Sequence, residues 1–368
     1  PLLRYRGLVV LHDFWLGGLV RQAAELGLWP VPLEEELRHE GEDQLADWLR
    51  HPGLPDWVAG EVLPLNRRLL ESAAGVLVHS DWALRRVRRV CDTPAACVPL
   101  VMPVPQLRSA AEERRRLGLP ADEFVVCTLG QVGHAKRVHS IIRAVAALPE
   151  EVRGHTRLVV VGDGEPGLMA ALARMAEELG IGEGVRYTGH VALADFSAYA
   201  RAADVCVQLR YPVRGESSAA VLRALAAGAA CVTSDDGPMA ELPDAVSWKV
   251  RSPHHEVADL TAALTRLHAE PALRRALADA GLRHVREVYS LERVVGEYAR
   301  LMEEACAWRE AHDEAWDEQA RQSLRSCPPD EAAALLARWR DLRRQAHGPS
   351  GLVQALPFPS AARLGRPA

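Results

Sequence analysis

The sequence predicts an α/β protein built on parallel sheets. Between residues 123 and 250, six short apolar runs alternate with stretches of helical periodicity, the order expected of strand–helix units. Most of these runs are β-branched and apolar throughout rather than alternating, as strands covered on both faces require. With 368 residues, 48% of them apolar and 25% charged, the chain is long enough for two domains and can bury a large core.

The first run, LVVL at 8–11, reads as a strand ending in His12-Asp13. From 15 to 74 the text is helical but interrupted by Pro30, Pro32, Gly41, Pro52, Gly53, Pro55, Gly60 and Pro64, which cut it into short pieces. Trp15, Trp29, Trp48 and Trp57 are expected to pack these pieces together, an acceptor-binding wall being the alternative. VLVHS at 76–80 predicts a second strand, with Asp81 as N-cap of an arginine-rich helix. A third strand is expected near 96–100. MPVPQ at 102–106 has linker composition, so residues 1–105 read as a partial N-terminal domain.

Strands are then expected at 123–130, 157–162, 185–189, 204–209, 230–234 and 246–250. Helices are expected at 110–117, 137–148, 167–179, 193–202, 216–227 and 256–269, completing a second domain over 106–300. A helical extension, 301–347, is broken at Pro328-Pro329, and its Trp308, Trp316 and Trp339 are expected to cover the body. The tail, 348–368, has the composition of a disordered segment.

A net charge of −5, with arginines spread along helices, gives no reason to expect a nucleic-acid partner. No apolar run reaches the ~18 residues of a membrane span, and nothing argues for peripheral membrane contact. The seven cysteines show no CxxC spacing; Cys127, Cys206 and Cys231 fall in apolar runs as reduced, buried thiols. That pattern predicts a cytoplasmic protein with neither a disulfide framework nor a bound metal. Because the chain opens on Pro1 just ahead of a strand, the front of the natural protein is expected to lie outside it.

Ligands of parallel sheets bind beyond the carboxyl ends of the strands. The loops 130–136, 162–167, 189–191, 210–218 and 234–241 are therefore expected to share one rim. Three stretches of that rim carry chemistry. Gly162-Asp163-Gly164-Glu165-Pro166-Gly167 is a literal GxGxxG, but the dinucleotide reading needs a carboxylate at the end of the next strand, which closes Tyr187-Thr188-Gly189-His190 instead. A glycine turn at the ligand rim is the better reading, and it makes Gly164 a candidate. In Gly130-Gln131-Val132-Gly133-His134-Ala135-Lys136-Arg137, two cations stand at a helix start, the end where the macrodipole disfavours them. An anionic ligand nearby would explain Lys136 and Arg137. In Arg210–Asp244, Glu216, Ser217 and Ser218 are expected to open a helix. The serines and the N–H groups there suit phosphate, and the glutamate suits sugar hydroxyls. Asp235-Asp236 reads as a solvated turn rather than a metal site.

Together these stretches resemble the C-terminal domain of GT-B fold glycosyltransferases, most closely the family-4 group of retaining enzymes. The likeness runs from about Phe124 to Tyr298 and extends to Glu241-Leu242-Pro243. It is carried by Gly130 with Lys136-Arg137, Val161-Gly162-Asp163-Gly164, Tyr187-Thr188-Gly189, Tyr211-Pro212 through Ser218, and Ala226-Ala227-Gly228. PLLRYRG followed by LVVLHD at the front resembles the family's strand and loop that bring a histidine to the cleft.

The resemblance implies two Rossmann-like parallel-sheet domains facing a cleft, the N-terminal one truncated at its front. It implies transfer of a hexose-type sugar from a UDP- or GDP-linked donor to an acceptor hydroxyl, with retention and without a metal ion or cofactor. The acceptor would be a glycan, a lipid-linked sugar or a small molecule. His12 and Glu216 would be the catalytic pair, His12 facing the donor sugar and Glu216 contacting its hydroxyls. Gly130, Gln131, Lys136, Arg137, Gly164, His190, Val191, Ser217 and Ser218 would bind the donor. Among these, Lys136 would neutralise the diphosphate, the serines would lie at the phosphate-binding helix start, and the loop of His190 and Val191 would hold the base. Two departures stand out. The family's second glutamate, eight residues after Glu216, is Ala224, and the arginine usual after Gly130 is Gln131. Rival readings are a truncated or degenerate nucleotide-sugar-binding protein without turnover, and a GT-B sugar-nucleotide epimerase.

Overall fold

The computed structural model describes residues 7–29, 31–41 and 63–323, with side chains described up to residue 312. Trp48, Trp57, Trp316, Trp339, the Pro328-Pro329 break and the tail from 348 lie outside what is described. The chain divides into one compact unit, Gly7–Cys306, and a second made of the two chain ends, 1–6 and 307–368. In the second, Trp308 stacks on His312 with ring centroids 4.3 Å apart.

The first unit begins with strand β1 (Leu8–Leu11), short helices α1 (Gly17–Glu25), α2 (Leu33–Glu40) and α3 (Arg67–Glu71), strand β2 (Gly75–Val78), helix α4 (Asp81–Val90) and strand β3 (Ala95–Cys97). These strands form a parallel sheet in the order β1-β2-β3. Trp29 packs the short helices as expected, against Val20, Leu37, Leu63 and Leu65, while its Nε1 donates to Glu36 at 3.2 Å. Trp15 belongs instead to the cluster of Phe14 and Trp82. The cap of α4 is Ser80, whose hydroxyl accepts from the Ala83 N–H; Asp81 is one residue inside, where its charge still complements the dipole.

The second sheet follows an extended stretch. Helix α5 (Ala110–Leu117) is closed by a capping box between Ser109 and Glu112 and ends on Gly118 in the left-handed conformation. Then come β4 (Phe124–Leu129), α6 (Val138–Ala146), α7 (Glu150–Arg153), β5 (Thr156–Val161), α8 (Pro166–Glu178), β6 (Val185–Tyr187), α9 (Leu193–Ala202) and β7 (Val205–Gln208). Helix α10 (Ala219–Ala226), β8 (Ala230–Ser234), β9 (Ser247–Val250), α11 (Glu256–Ala269), α12 (Pro271–Val288) and α13 (Leu291–Ser323) complete it. All six strands are parallel, in the order β6-β5-β4-β7-β8-β9. Every residue of β4, β7 and β8 is buried, which is why these segments read as continuous apolar runs.

The expected boundary at 300/301 falls inside α13. Val294 and Leu301 on that helix pack with Leu77 and Val98 of the first sheet, so the helix returns to the N-terminal half. Among the described residues no helix is long and apolar enough to cross a membrane. The strand order places the site. The chain runs outward from β4 to β6, then restarts at β7 on the other side of β4, so the crossovers diverge between β4 and β7. At such a switch point the loops leaving the carboxyl ends open a crevice. Those two loops are 130–137 and 209–218.

Candidate nucleotide-sugar site

The loop after β4 is packed tightly on the loop after β5. The Val132 N–H donates to the Asp163 carbonyl at 2.7 Å, and Val132 bridges to Gly164. A Cβ on Gly162, whose φ is +136°, would stand 2.2 Å from the Gly130 carbonyl oxygen, and one on Gly164 would stand 2.7 Å from that of Val132. The glycines of the GxGxxG stretch therefore let two backbones touch. The start of α8 is closed by its own Glu165, which accepts from the N–H groups of Gly167 and Leu168 at 2.9 and 2.8 Å. A carboxylate already holding those donors would repel a pyrophosphate, which removes the dinucleotide reading on physical grounds.

Beyond these loops lies an open depression of about 490 Å³, lined by Gly130, Gln131, Gly162, Asp163, Gly164, His190, Val191 and Phe196. Five of the sequence-predicted residues meet there. Lys136, in the short 3-10 turn His134–Lys136, folds back over Gly130: a Cβ on Gly130 would stand 3.3 Å from its Nζ and 4.0 Å from Cβ of Ala220 in the first turn of α10. The ammonium donates to the Leu129 carbonyl over a long 3.5 Å. Burial, and then the charge of Arg210, push Lys136 down to about 7, against the attraction of Glu216. A desolvated cation beside a glycine loop and a helix start is a site prepared for an anion.

Arg137 is directed elsewhere. Its Nε donates to Glu256 at 2.8 Å, and the same carboxylate, 1% exposed, also accepts from Ser140. The anion that explains this cation is a buried side chain of α11, so the expected donor contact from Arg137 is replaced by a structural ion pair. Arg137 is also left-handed, at φ +55°, which ends the turn before α6 and separates the two cations.

Glu216 and Ser217 do not open a helix. Helix α10 starts at Ala219, and Ser218 is its N-cap, accepting from the Val221 N–H at 3.4 Å. Glu216 lies in the preceding loop, where Oε1 accepts from Nε of Arg210 at 2.8 Å and Oε2 from the Arg214 N–H at 2.8 Å. The Ser217 hydroxyl donates to the His79 carbonyl at 2.9 Å. Ser217 and Ser218 line a small cavity of about 70 Å³ with His79, Ser80 and Glu241, apart from the residues of the larger depression. Position 224 faces inward: Ala224 is 0% exposed, in the core with Cys127 and Cys206. A glutamate there would be sealed among apolar side chains, so 224 is not the helix position that could reach a ribose. Its half-exposed neighbour Arg223 lines a surface cavity instead.

The N-terminal half reaches the same loop. The N–H groups of Phe14 and Trp15 both donate to the Arg214 carbonyl at 2.9 Å. Gly215, at φ +86°, fits where a Cβ would stand 2.6 Å from Phe14 and from Trp82. His12 is thereby held beside the Glu216 loop, and Asp13 is close enough that Glu216, after desolvation, raises its carboxyl. Sequence reasoning missed Asp13, His79 and Arg210. Arg210 could have been found, since it is a charge at the carboxyl end of a buried strand. Among the described residues, no group of three or more His, Cys, Asp or Glu side chains could hold a metal ion, and Asp235 and Asp236 are not brought to one.

Comparison with known proteins bears on family and fold. Residues 109–284 match the family described as glycosyl transferases group 1. The chain is 34% identical over 189 residues to a D-inositol 3-phosphate glycosyltransferase of Thermomonospora curvata, covering 49% of this chain and 43% of that protein. It is 29% identical over 318 residues to the protein of that name in Mycobacterium bovis BCG, covering 79% and 62%. It thus spans less than two thirds of the length of these relatives. Among solved structures it is similar to a sucrose-phosphate synthase from Thermosynechococcus elongatus, at TM-score 0.61 and 21% identity over 82% of this chain and 68% of that one. It is also similar to HepE of Anabaena in complex with UDP-glucose, at TM-score 0.60 and 16% identity over 81% and 72%. Residues 109–284 belong to the glycosyl transferases group 1 family, carried on a GT-B fold.

Proposed function

We propose that this protein transfers a hexose from a UDP- or GDP-linked donor to an acceptor hydroxyl, with retention at the anomeric carbon. The observation that supports it most is the meeting of Lys136, the Gly130 loop and the first turn of α10 at the β4/β7 switch point, beside a depression of nucleotide size. The diphosphate would lie across that meeting point and the base toward His190 and Val191. Glu216, its charge oriented by Arg210, would accept from sugar hydroxyls. His12 would face the sugar from the N-terminal half. Departure of the nucleoside diphosphate leaves negative charge on its terminal phosphate, and the ammonium of Lys136 with the helix start would stabilise it without a bound cation. The loop contact between Phe14 and Arg214 would keep both halves closed on the donor and exclude water. Because UDP-glucose occupies the Anabaena structure, it is the first donor to try.

The reading without turnover rests on Gln131, which leaves the diphosphate one cation poorer. Ala224 no longer supports it, since that position faces the core. The two readings separate in one assay: release of UDP from UDP-glucose, with the anomer of the product read by proton NMR. Turnover with retained configuration is expected. Tight donor binding with no UDP release would favour the binding-only reading, and an inverted product would exclude retention.

A further inference from the structure

The parallel pairing of β1 and β2 aligns Leu11 with Val78, so the residues that follow, His12 and His79, leave the sheet side by side. Nδ1 of His79 lies 2.7 Å from the Val98 carbonyl oxygen, and its Nε2 lies 3.1 Å from Nδ1 of His12; the ring centroids are 4.9 Å apart. A carbonyl can only accept, so Nδ1 of His79 carries the hydrogen. A neutral His79 then presents a lone pair at Nε2, and Nδ1 of His12 must donate to it. His12 is left with its own lone pair on Nε2. Two features hold the chain in this sense. Burial lowers His79, the Val98 carbonyl working against it, so that His79 stays neutral with its hydrogen on Nδ1. The Ser217 hydroxyl fixes the His79 backbone from the donor-side loop.

We propose that His79 is a positioning residue: it sets the tautomer and ring orientation of His12, so that Nε2 of His12 accepts a hydrogen bond from the donor sugar. This rests on the reading of His12 given above. The logic is that of a histidine whose useful nitrogen is chosen by the partner of the other one. His79 touches neither donor nor acceptor and acts through His12. The charged neighbour of His12 on its own loop is Asp13, whose carboxyl stands near Glu216, Arg210 and Arg214 as well.

The test uses the full chain with ¹⁵N-labelled histidine, as parent, His79→Gln and His79→Phe. Gln keeps an acceptor for His12, whereas Phe keeps the ring shape without one. Ring ¹H–¹⁵N correlation spectra should show His12 of the parent and of His79→Gln protonated at Nδ1, and His12 of His79→Phe protonated at Nε2. Protonation at Nε2 in the parent, or no change in His79→Phe, would overturn the proposal. In UDP-glucose turnover, His79→Phe should lower kcat by about tenfold or more while KM for the donor stays within about twofold, and His79→Gln should recover most of it. Equal losses in both variants, with His12 unchanged in the spectra, would make His79 merely structural. If the parent releases nucleoside diphosphate from neither UDP- nor GDP-linked sugars, the transferase reading fails, and the spectra alone decide the role of His79.

Discussion

Nε of Arg210 meets Oε1 of Glu216 at 2.8 Å, at the mouth of the loop that leaves β7. The pair would let a carboxylate stand close to the proposed diphosphate site. Arg210 offsets its charge, and the Arg214 N–H fixes its second oxygen. Glu216 is therefore suited to recognise hydroxyls and not to move protons. Glu216→Gln should weaken UDP-glucose binding by about tenfold, within the ~1.5–3 kcal/mol of a charged hydrogen bond. It should leave UDP affinity unchanged or slightly raised, because one negative charge has gone. Calorimetry with both ligands checks this; equal losses for UDP and UDP-glucose would place Glu216 on the phosphates.

Gly215 joins the two halves. A side chain there meets Phe14 and Trp82 and has to adopt φ +86°. Gly215→Ala should reduce turnover at least about tenfold, since a displacement near 1 Å at a reacting centre can cost ~10²-fold. UDP binding, which the proposed reading assigns to the second sheet, should change by less than about threefold. Loss of both in parallel would mean that Gly215 shapes the donor site itself.

Arg137 and Glu256 predict the opposite pattern. Glu256 is buried, so removing its partner leaves a carboxylate unpaired, a change that costs ~3–5 kcal/mol in comparable pairs. Arg137→Met should lower stability by about that amount in urea unfolding, while the folded fraction binds UDP-glucose within about twofold of the parent. A large loss of donor affinity at unchanged stability would return Arg137 to the donor site.

The sheet was readable because buried parallel strands leave continuous runs such as 230–234, and glycines and prolines punctuate them. The rim was readable for the same reason, since parallel strands bring all their carboxyl ends to one edge, whereas the strand order that opens the crevice between β4 and β7 came only with the structure. What failed was set by contacts far apart in sequence. Glu256 is more than a hundred residues from Arg137, and no local pattern announces that pairing. The string Glu216-Ser217-Ser218 offers three plausible helix starts. Ser218 is the cap because Glu216 turns back to Arg210 and Arg214 and Ser217 reaches across to His79. Ala224 was misjudged through helix phase: counting eight residues from Glu216 ignores that the helix begins three residues later, which sends 224 into the core.

The central claim, that Lys136 is held ready for a diphosphate, is tested most directly by the pH dependence of UDP-glucose binding in the parent and in Lys136→Met. A sugar-linked diphosphate has no proton to lose in this range, whereas UDP's terminal phosphate titrates near ~6. Free Lys136 titrates at about 7, and a bound diphosphate raises it. Affinity should therefore be flat below that pH and fall above it, by up to about tenfold per pH unit, with net proton uptake on binding. Lys136→Met should bind about tenfold or more weakly below pH 7 and lose the slope. A parent affinity that does not vary between pH 6 and 9, matched by Lys136→Met, would contradict the account.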